Sequence, residues 1–304
     1  MGVDKNLFLY DLAVVAIMKN EEPYVKEWLD YHLLAGVDHF FIYDNDSTED
    51  FKKILQPYID AELVTYIFYP GKARQYEAYN AAVRDYKFYC RYMAFVDGDE
   101  FILSKSKPTI TEVVEEILTP NPNAAALGVN WIFYGSNHQD TADYSKGVIE
   151  RFTLREESVN KHIKTIANPR KINYFCNPHF SIYFSSCFSV NEQGENFDGA
   201  FNEYASDEKI VINHYYMKSR EEYLKKVQRG VADFKVNVYD EKNFSHETQN
   251  DVFDDGILKY RDERRKALAK MGGVWMSFQP LQNLNRLTSI NFYRHYHQIC
   301  WRDS

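Results

Sequence analysis

Four short apolar runs dominate the N-terminal third of this chain, each followed by a polar cluster, and three of them lead into stretches of helical periodicity. That arrangement restricts what the chain can fold into. Ala13–Met18, His39–Tyr43, Leu63–Tyr69 and Arg91–Val96 are too short for buried helices, and Ala13–Met18 is continuously apolar, as expected of a strand covered on both faces. Between the first two, Pro23 suits a first helical turn. Val25, Trp28, Leu29, His32, Leu33 and Ala35 then recur at helical spacing until Gly36 stops the helix. Phe51–Tyr58 and about Arg74–Tyr86 fill the next two gaps as helices. Such alternation builds right-handed βαβ units, so the expected class is α/β: a mostly parallel mixed sheet with helices on both faces. Ligands of these sheets bind outside the carboxyl ends of the strands. Lys19–Glu21, Asp44–Ser47, Gly71–Gln75 and Asp97–Glu100 all follow strands, so four polar groups are expected on one edge.

Beyond Phe101 the pattern loosens. Ile110–Leu118 reads as a helix and Ala124–Phe133 as a buried strand, with Glu150–Leu154 and Phe180–Phe188 as strands of a mixed half. Val211–Tyr216 is a late strand, and Ser219–Ala232 and Ile257–Met271 are charged helical segments. There is no repeat and no clear linker. The formal net charge of −8 argues against a nucleic-acid partner, which selects a basic surface. Cys90, Cys176, Cys187 and Cys300 lack paired metal or redox spacing and read as free thiols of a reducing compartment. The first residues contain an apolar run too short for a membrane span and no cleavage-type segment, so the expected location is the cytoplasm. The locally basic stretch Lys259–Lys270 reads as a solvated helix, with peripheral contact to an anionic membrane surface as the alternative. Aromatic residues reach 16%, which suits either a Tyr/Phe-rich core or the stacking of sugar rings.

The strongest chemical motif is Phe95-Val96-Asp97-Gly98-Asp99-Glu100-Phe101. Three carboxylates at a strand end repel one another unless a cation or hydrogen-bond donors compensate. Mg²⁺ and Mn²⁺ take oxygen ligands and keep waters and substrate phosphates in their shells. A surface Asp-Gly turn is the plain alternative, but this acidic knot is framed by apolar sequence on both sides. In the second cluster Asp44 is placed to accept from a uracil N3–H or a ribose hydroxyl, and Ser47 to cap the following helix. His214 follows a late strand and offers an imidazole nitrogen to a cation begun by Asp99. Lys218, Lys225, Lys226 and Arg229 are either diphosphate contacts or a solvated helix face.

These motifs form an ordered set. Met18-Lys19-Asn20-Glu21, Glu27-Trp28, Tyr31-His32, Gly36-Val37 and Tyr43 through Asp50 resemble glycosyltransferases of family 92 and the related branch of family 2. So do Gln75 through Asn80, the Asp97-Gly98-Asp99 knot, Lys164 through Pro169, His179, and His214-Tyr215-Tyr216 with Lys218 through Glu222. The resemblance runs through roughly residues 13–230 and is dense before 103. It implies a GT-A fold (nucleotide-diphospho-sugar transferase, Rossmann-like), a nucleotide-sugar donor, UDP-linked in the first instance, and Mn²⁺ or Mg²⁺. In those terms residues 1–218 are the transferase domain, with a donor half about 1–103 and an acceptor half about 104–218, and 219–304 are a C-terminal helical extension. By similarity Asp97 and Asp99 are the DxD acids, Asp44 contacts the nucleotide and His214 is a late metal ligand. Many family 2 members carry two consecutive acids where this chain has Asp44-Asn45.

The expected reaction is transfer of a sugar, with inversion, to a glycan, lipid-linked sugar or other hydroxyl acceptor. Metal is expected on Asp97, Asp99 and His214, and the donor on Asn20, Glu21, Asp44, Ser47, Lys72, Gln75 and Asp97, with Arg74 as an added phosphate donor. Inversion requires a carboxylate to deprotonate the acceptor; Asp140, Glu157 and Asp198, downstream of the donor half, are the candidates. Trp131, Phe133 and Tyr134 are acceptor-stacking candidates, His179 a site-lining one, and Trp28 and His32 are read as scaffold. A nucleotidyltransferase or a non-catalytic nucleotide-sugar or glycan-binding module are the competing classes. The first lacks a glycine-rich phosphate loop near Lys19-Asn20-Glu21.

Overall fold

The structure is a computed structural model that describes residues 7–230 and 240–262. The expected alternation is present: β1 (Tyr10–Met18), α1 (Val25–Leu34), β2 (His39–Asp44), α2 (Glu49–Asp60), β3 (Val64–Phe68), α3 (Gln75–Tyr86) and β4 (Cys90–Phe95). The chain then adds β5 (Glu100–Ser104), α4 (Ile110–Leu118), β6 (Ala124–Phe133), the single turn α5 (Val148–Arg151), β7 (Leu154–Arg155) and β8 (Asn160–Ala167). The hairpin strands β9 (Ile172–Phe175) and β10 (Ser181–Tyr183) precede β11 (Phe188–Val190), β12 (Asn196–Phe197), β13 (Ile210–His214), α6 (Arg220–Arg229) and β14 (Val252–Phe253).

The α/β class expected from the sequence is observed. Among the described residues one ten-stranded sheet runs β12-β11-β6-β8-β4-β1-β2-β3, with β13 pairing β6 and β5 beside it. Strands β4, β1, β2 and β3 are mutually parallel, and β11 and β13 are parallel to β6. Strand β8 lies between β4 and β6, antiparallel to both. The continuous apolar character of β1 has a direct cause. Leu12, Val14, Ala16 and Met18 pack into one core with Trp28, Leu29 and Val113, whereas Ala13, Val15 and Ile17 pack into a second core with Tyr79, Ala82 and Phe95. Helices cover both faces, so neither register position is free to be polar.

Helix α1 is tied to the sheet by its aromatic face. The Trp28 indole N–H donates to the Glu100 carbonyl at 2.8 Å, and the Tyr31 hydroxyl donates to Ile102 O at 2.9 Å. His32 Nδ1 contacts Trp28 O at 2.8 Å while Nε2 accepts from Ile102 N at 3.3 Å. That fixes a neutral Nδ1–H tautomer, and burial holds its pKa down at about 3. Trp28 and His32 are therefore scaffold, and what they hold in place is β5, the strand that opens with Glu100.

Several expectations are corrected. Glu150–Leu154 is not a strand: it divides between α5 and β7 because Arg151 turns inward to Glu222. Phe180–Phe188 breaks into β10 and β11, and β8 had no counterpart in the sequence reading. Ser47 does not cap α2. The N-cap is Thr48, without a side-chain cap, while Ser47 Oγ accepts from Asn20 N at 2.9 Å. Helix α6 falls within the expected segment Ser219–Ala232 and opens on a capping box from Ser219 and Glu222. Residues 258–262 are helical, and the rest of the expected helix Ile257–Met271, with Cys300, lies outside the described residues. Of its basic stretch Lys259 and Arg261 are described, and Lys259 donates to Ser104 O at 3.2 Å. No helix among the described residues is long and apolar enough to cross a membrane.

Candidate active site

The carboxyl ends of β1, β2 and β4 open onto a cavity of about 300 Å³. One wall is Met18, Lys19, Glu21, Asn45, Gln75, Asp97, Gly98 and Asp99. The facing wall comes from β6, β8, the β9–β10 loop, β13 and the last turn of α6, through Trp131, Phe133, Lys164, His179, His214, Lys226 and Arg229.

Asp97 begins the turn after β4 and is held from several sides. Its Oδ1 accepts from Gln75 Nε2 at 2.5 Å and from the Tyr79 hydroxyl at 3.4 Å, and its Oδ2 accepts from Lys164 Nζ at 2.8 Å. Its own N–H donates to Glu100 Oε2 at 2.9 Å. Asp99 points to the opposite partners: Oδ2 meets Lys226 Nζ at 2.7 Å and Oδ1 lies 3.4 Å from His214 Nε2. Burial disfavours the Asp99 carboxylate, but Lys226 and His214 outweigh it and hold the group well below the usual carboxylate range. Glu100, fully buried beneath the turn, is pushed the other way by burial and by Asp97, despite Lys164 at 3.7 Å. Its Oε1 and His214 Nδ1 are 3.9 Å apart, and both are buried without a hydrogen-bond partner. Burial also lowers the His214 pKa, with Asp99 opposing, so its ring tends to the neutral, ligating form.

The expected site residues divide into two groups. Glu21, Gln75, Asp97, Asp99 and His214 share the cavity. Asp44 does not line it: its oxygens accept from Ser47 N at 2.9 Å and from the Tyr66 hydroxyl at 2.5 Å, and its neighbour Asn45 faces the cavity instead. Asn20 and Ser47 clamp the β1 and β2 loops together, and Asn20 Oδ1 also accepts from Thr48 N. Lys72 is exposed off the wall, and Arg74 pairs with Glu77. Asp140 is exposed and tied to His246 at 3.0 Å, and Glu157 and Asp198 are exposed on outer loops. None of these three base candidates lines the cavity, because each sits where water already satisfies a carboxylate. Tyr134 is a core residue. One face of Trp131 is stacked on His162, and its indole N–H is buried without a partner.

Two residues of the site, Lys164 and Glu100, are not assigned a site role by the sequence pattern. Lys164 was visible only as part of a resemblance, since nothing in its local sequence announces β8. Glu100 is the third acid of a knot in which the Asp97-Gly98-Asp99 spacing carries the recognisable motif. Lys218 is buried with a left-handed φ of 52° and lies over the Tyr24 ring. Burial lowers its pKa, and Asp99 and Glu21 oppose the shift.

A metal of the expected kind is compatible with this floor, although no three His, Cys, Asp or Glu side chains among the described residues converge as a ready-made cage. Asp99 Oδ1 and His214 Nε2 offer an oxygen and a nitrogen close together, and Mg²⁺-type sites commonly use one or two protein ligands with phosphates and waters. Both Asp97 oxygens are already engaged by Gln75, Tyr79 and Lys164, so Asp97 fits the role of a braced acceptor better than that of a ligand.

A sequence profile of glycosyltransferase family 92 matches residues 14–266, which takes in every element of the cavity. The chain belongs to glycosyltransferase family 92. Among curated family 92 proteins, one from Ricinus communis is 26% identical over 236 residues, covering 77% of this chain and 40% of its own length. One from Oryza sativa subsp. japonica is 23% identical, covering 77% and 38%. The chain thus spans about 40% of the length of these family 92 relatives. Solved structures similar to it include S. aureus TarS 1–349, at 12% identity and a TM-score of 0.37 over 90% of this chain and 76% of that one. They also include glucosyl-3-phosphoglycerate synthase from Mycobacterium tuberculosis, at 19% identity and 0.28 over 39% and 43%.

Proposed function

We propose that this family 92 chain transfers a sugar from a nucleotide-diphosphate sugar, with a UDP-sugar as the first donor to test, to a hydroxyl of a glycan or lipid-linked sugar acceptor, with inversion and with Mn²⁺ or Mg²⁺ bound. The observation that carries this reading is the turn after β4. It places Asp97 and Asp99 on one cavity at the carboxyl end of a parallel sheet, with His214 brought in from a distant strand. Asp99 and His214 would hold the cation, which when bound supplies Lewis-acid stabilisation to the departing diphosphate. Asp97 is held rigidly by Gln75, Tyr79 and Lys164 and presents a fixed acceptor to the donor's hydroxyls. Arg229, on Glu21 and on the Lys19 carbonyl at 2.8 Å, adds positive charge on the leaving-group side. Trp131 and Phe133 add aromatic surface to a facing wall that is otherwise polar.

The test is a panel of nucleotide sugars with and without Mn²⁺, read by thermal shift and by release of nucleoside diphosphate in the presence of acceptor glycans. Ligand that binds only the folded state raises the melting temperature. The expected result is one nucleotide sugar that stabilises the protein and is turned over, both effects disappearing in Asp99→Asn. Binding without turnover against a broad acceptor panel would favour a binding module. Absence of any stabilisation by nucleotides would overturn the donor-site reading.

A further inference from the structure

Two lysines sit on the two aspartates of the turn, and the fold mounts them differently. Lys164 comes from β8, in the middle of the sheet. Its side chain is 1% exposed and also approaches Glu100, so it is built into the floor. Lys226 comes from the last turn of α6. Its ammonium reaches Asp99 Oδ2 at 2.7 Å across the cavity and contacts Tyr216 O at 3.4 Å, lying 4.2 Å from the centre of the Tyr216 ring. A lysine ammonium on a four-carbon stem repositions by rotamer changes alone, without moving the helix.

The carboxylate that Lys226 occupies is the one that, with His214, would hold the cation. An ammonium and a divalent ion cannot share one carboxylate in a buried site without strong mutual repulsion. The lining also carries four cationic side chains, Lys19, Lys164, Lys226 and Arg229, against three carboxylates, Glu21, Asp97 and Asp99. With Glu100 beneath the turn those charges balance, so a bare divalent ion would add uncompensated charge and strand the displaced ammonium. An ion arriving with a diphosphate brings the counter-charge, and the ammonium has phosphate oxygens to move to.

We infer that Lys226 is an interlock on Asp99: it holds the metal carboxylate in the free protein and makes divalent-cation binding depend on the nucleotide diphosphate. The inference rests on the donor-site reading above and assigns Lys226 as a positioning residue within it. No covalent step is involved; one ion pair is exchanged for another.

Mn²⁺ binding to the full chain, followed by electron paramagnetic resonance with and without UDP, tests it. In Lys226→Met, which keeps the stem and removes the charge, affinity for Mn²⁺ alone is expected to rise about tenfold. The factor by which UDP tightens Mn²⁺ should fall correspondingly, since coupling is reciprocal and typically 5–150-fold. Lys226→Arg, which retains the cation, should stay close to the parent chain. Equal Mn²⁺ affinity of Lys226→Met and the parent without UDP overturns the interlock while leaving the donor site standing. If Lys226→Met does not fold, as judged by circular dichroism, the parent chain still decides: Mn²⁺ affinity that UDP leaves unchanged overturns the interlock. Failure of the parent chain to take up Mn²⁺ even with UDP removes the metal-donor reading itself, and the interlock with it.

Discussion

Replacing Lys164 by Met should cost this protein about 3 kcal/mol of stability, and most of that loss should trace to Glu100. Removing one partner of a buried ion pair leaves an uncompensated charge, and such changes cost about 3–5 kcal/mol. Lys164 faces two carboxylates, but they differ in exposure. The Asp97 side chain is 33% exposed and keeps Gln75 and Tyr79 as donors, so water and those groups screen its loss. Glu100 is 0% exposed and would keep only the Asp97 N–H on Oε2. Its carboxyl is already held well above the usual range and has a proton-binding route out of the difficulty, which favours the lower end of the energy range. The sign follows. A carboxyl raised in the folded state weighs against folding at pH values above its unfolded pKa, so the defect of Lys164→Met should shrink as the pH falls toward about 4.5. The assay is urea unfolding followed by circular dichroism at pH 7 and pH 5, with Glu100→Gln made alone and together with Lys164→Met. The double variant should recover about 1–2 kcal/mol relative to additivity. A loss below about 1 kcal/mol at pH 7, or a Glu100→Gln effect that is the same in both backgrounds, would refute the assignment of Lys164 as the counter-charge of the turn.

His32, fully buried with its pKa lowered to about 3 against 6.5, stays neutral in the folded state while the unfolded chain takes up a proton, so stability should fall as pH drops from 6.5 toward 3. His32→Asn should lessen that slope by up to about 1.4 kcal/mol per pH unit, read from urea midpoints, and an unchanged slope would count against it. Gly128 lies inside β6 with the Phe197 ring where a Cβ would go; Gly128→Ala should cost roughly 1–3 kcal/mol by overpacking, and Phe197→Leu should relieve it in a thermal melt. Because Glu157 and Asp198 stand off the cavity, Glu157→Gln and Asp198→Asn should change the proposed sugar transfer by no more than about twofold, and a loss of a hundredfold in either would return it to the site.

The sequence by itself determined the N-terminal strand–helix alternation from β1 to β4. Strands β1, β2 and β4 are buried along nearly their whole length and are largely apolar for that reason, whereas the edge strand β3 is only partly buried, and local punctuation such as Pro23 and Gly36, whose φ is 98°, marks the intervening helix. It also showed which acids crowd the end of β4, because the repulsion among Asp97, Asp99 and Glu100 is a property of their spacing. Only the tertiary structure decided what answers that repulsion. Lys164 arrives on β8, an antiparallel strand of mixed polarity inserted between β4 and β6, and Lys226 on a helix more than a hundred residues away. The fate of Asp44 was equally out of reach of pattern. Its carboxylate belongs to Ser47 and Tyr66 because β3 lies next to β2, which is a fact of sheet order. Periodicity reports which side of an element is buried, whereas the pairing of charges across a cavity depends on distances between elements that no local sequence encodes.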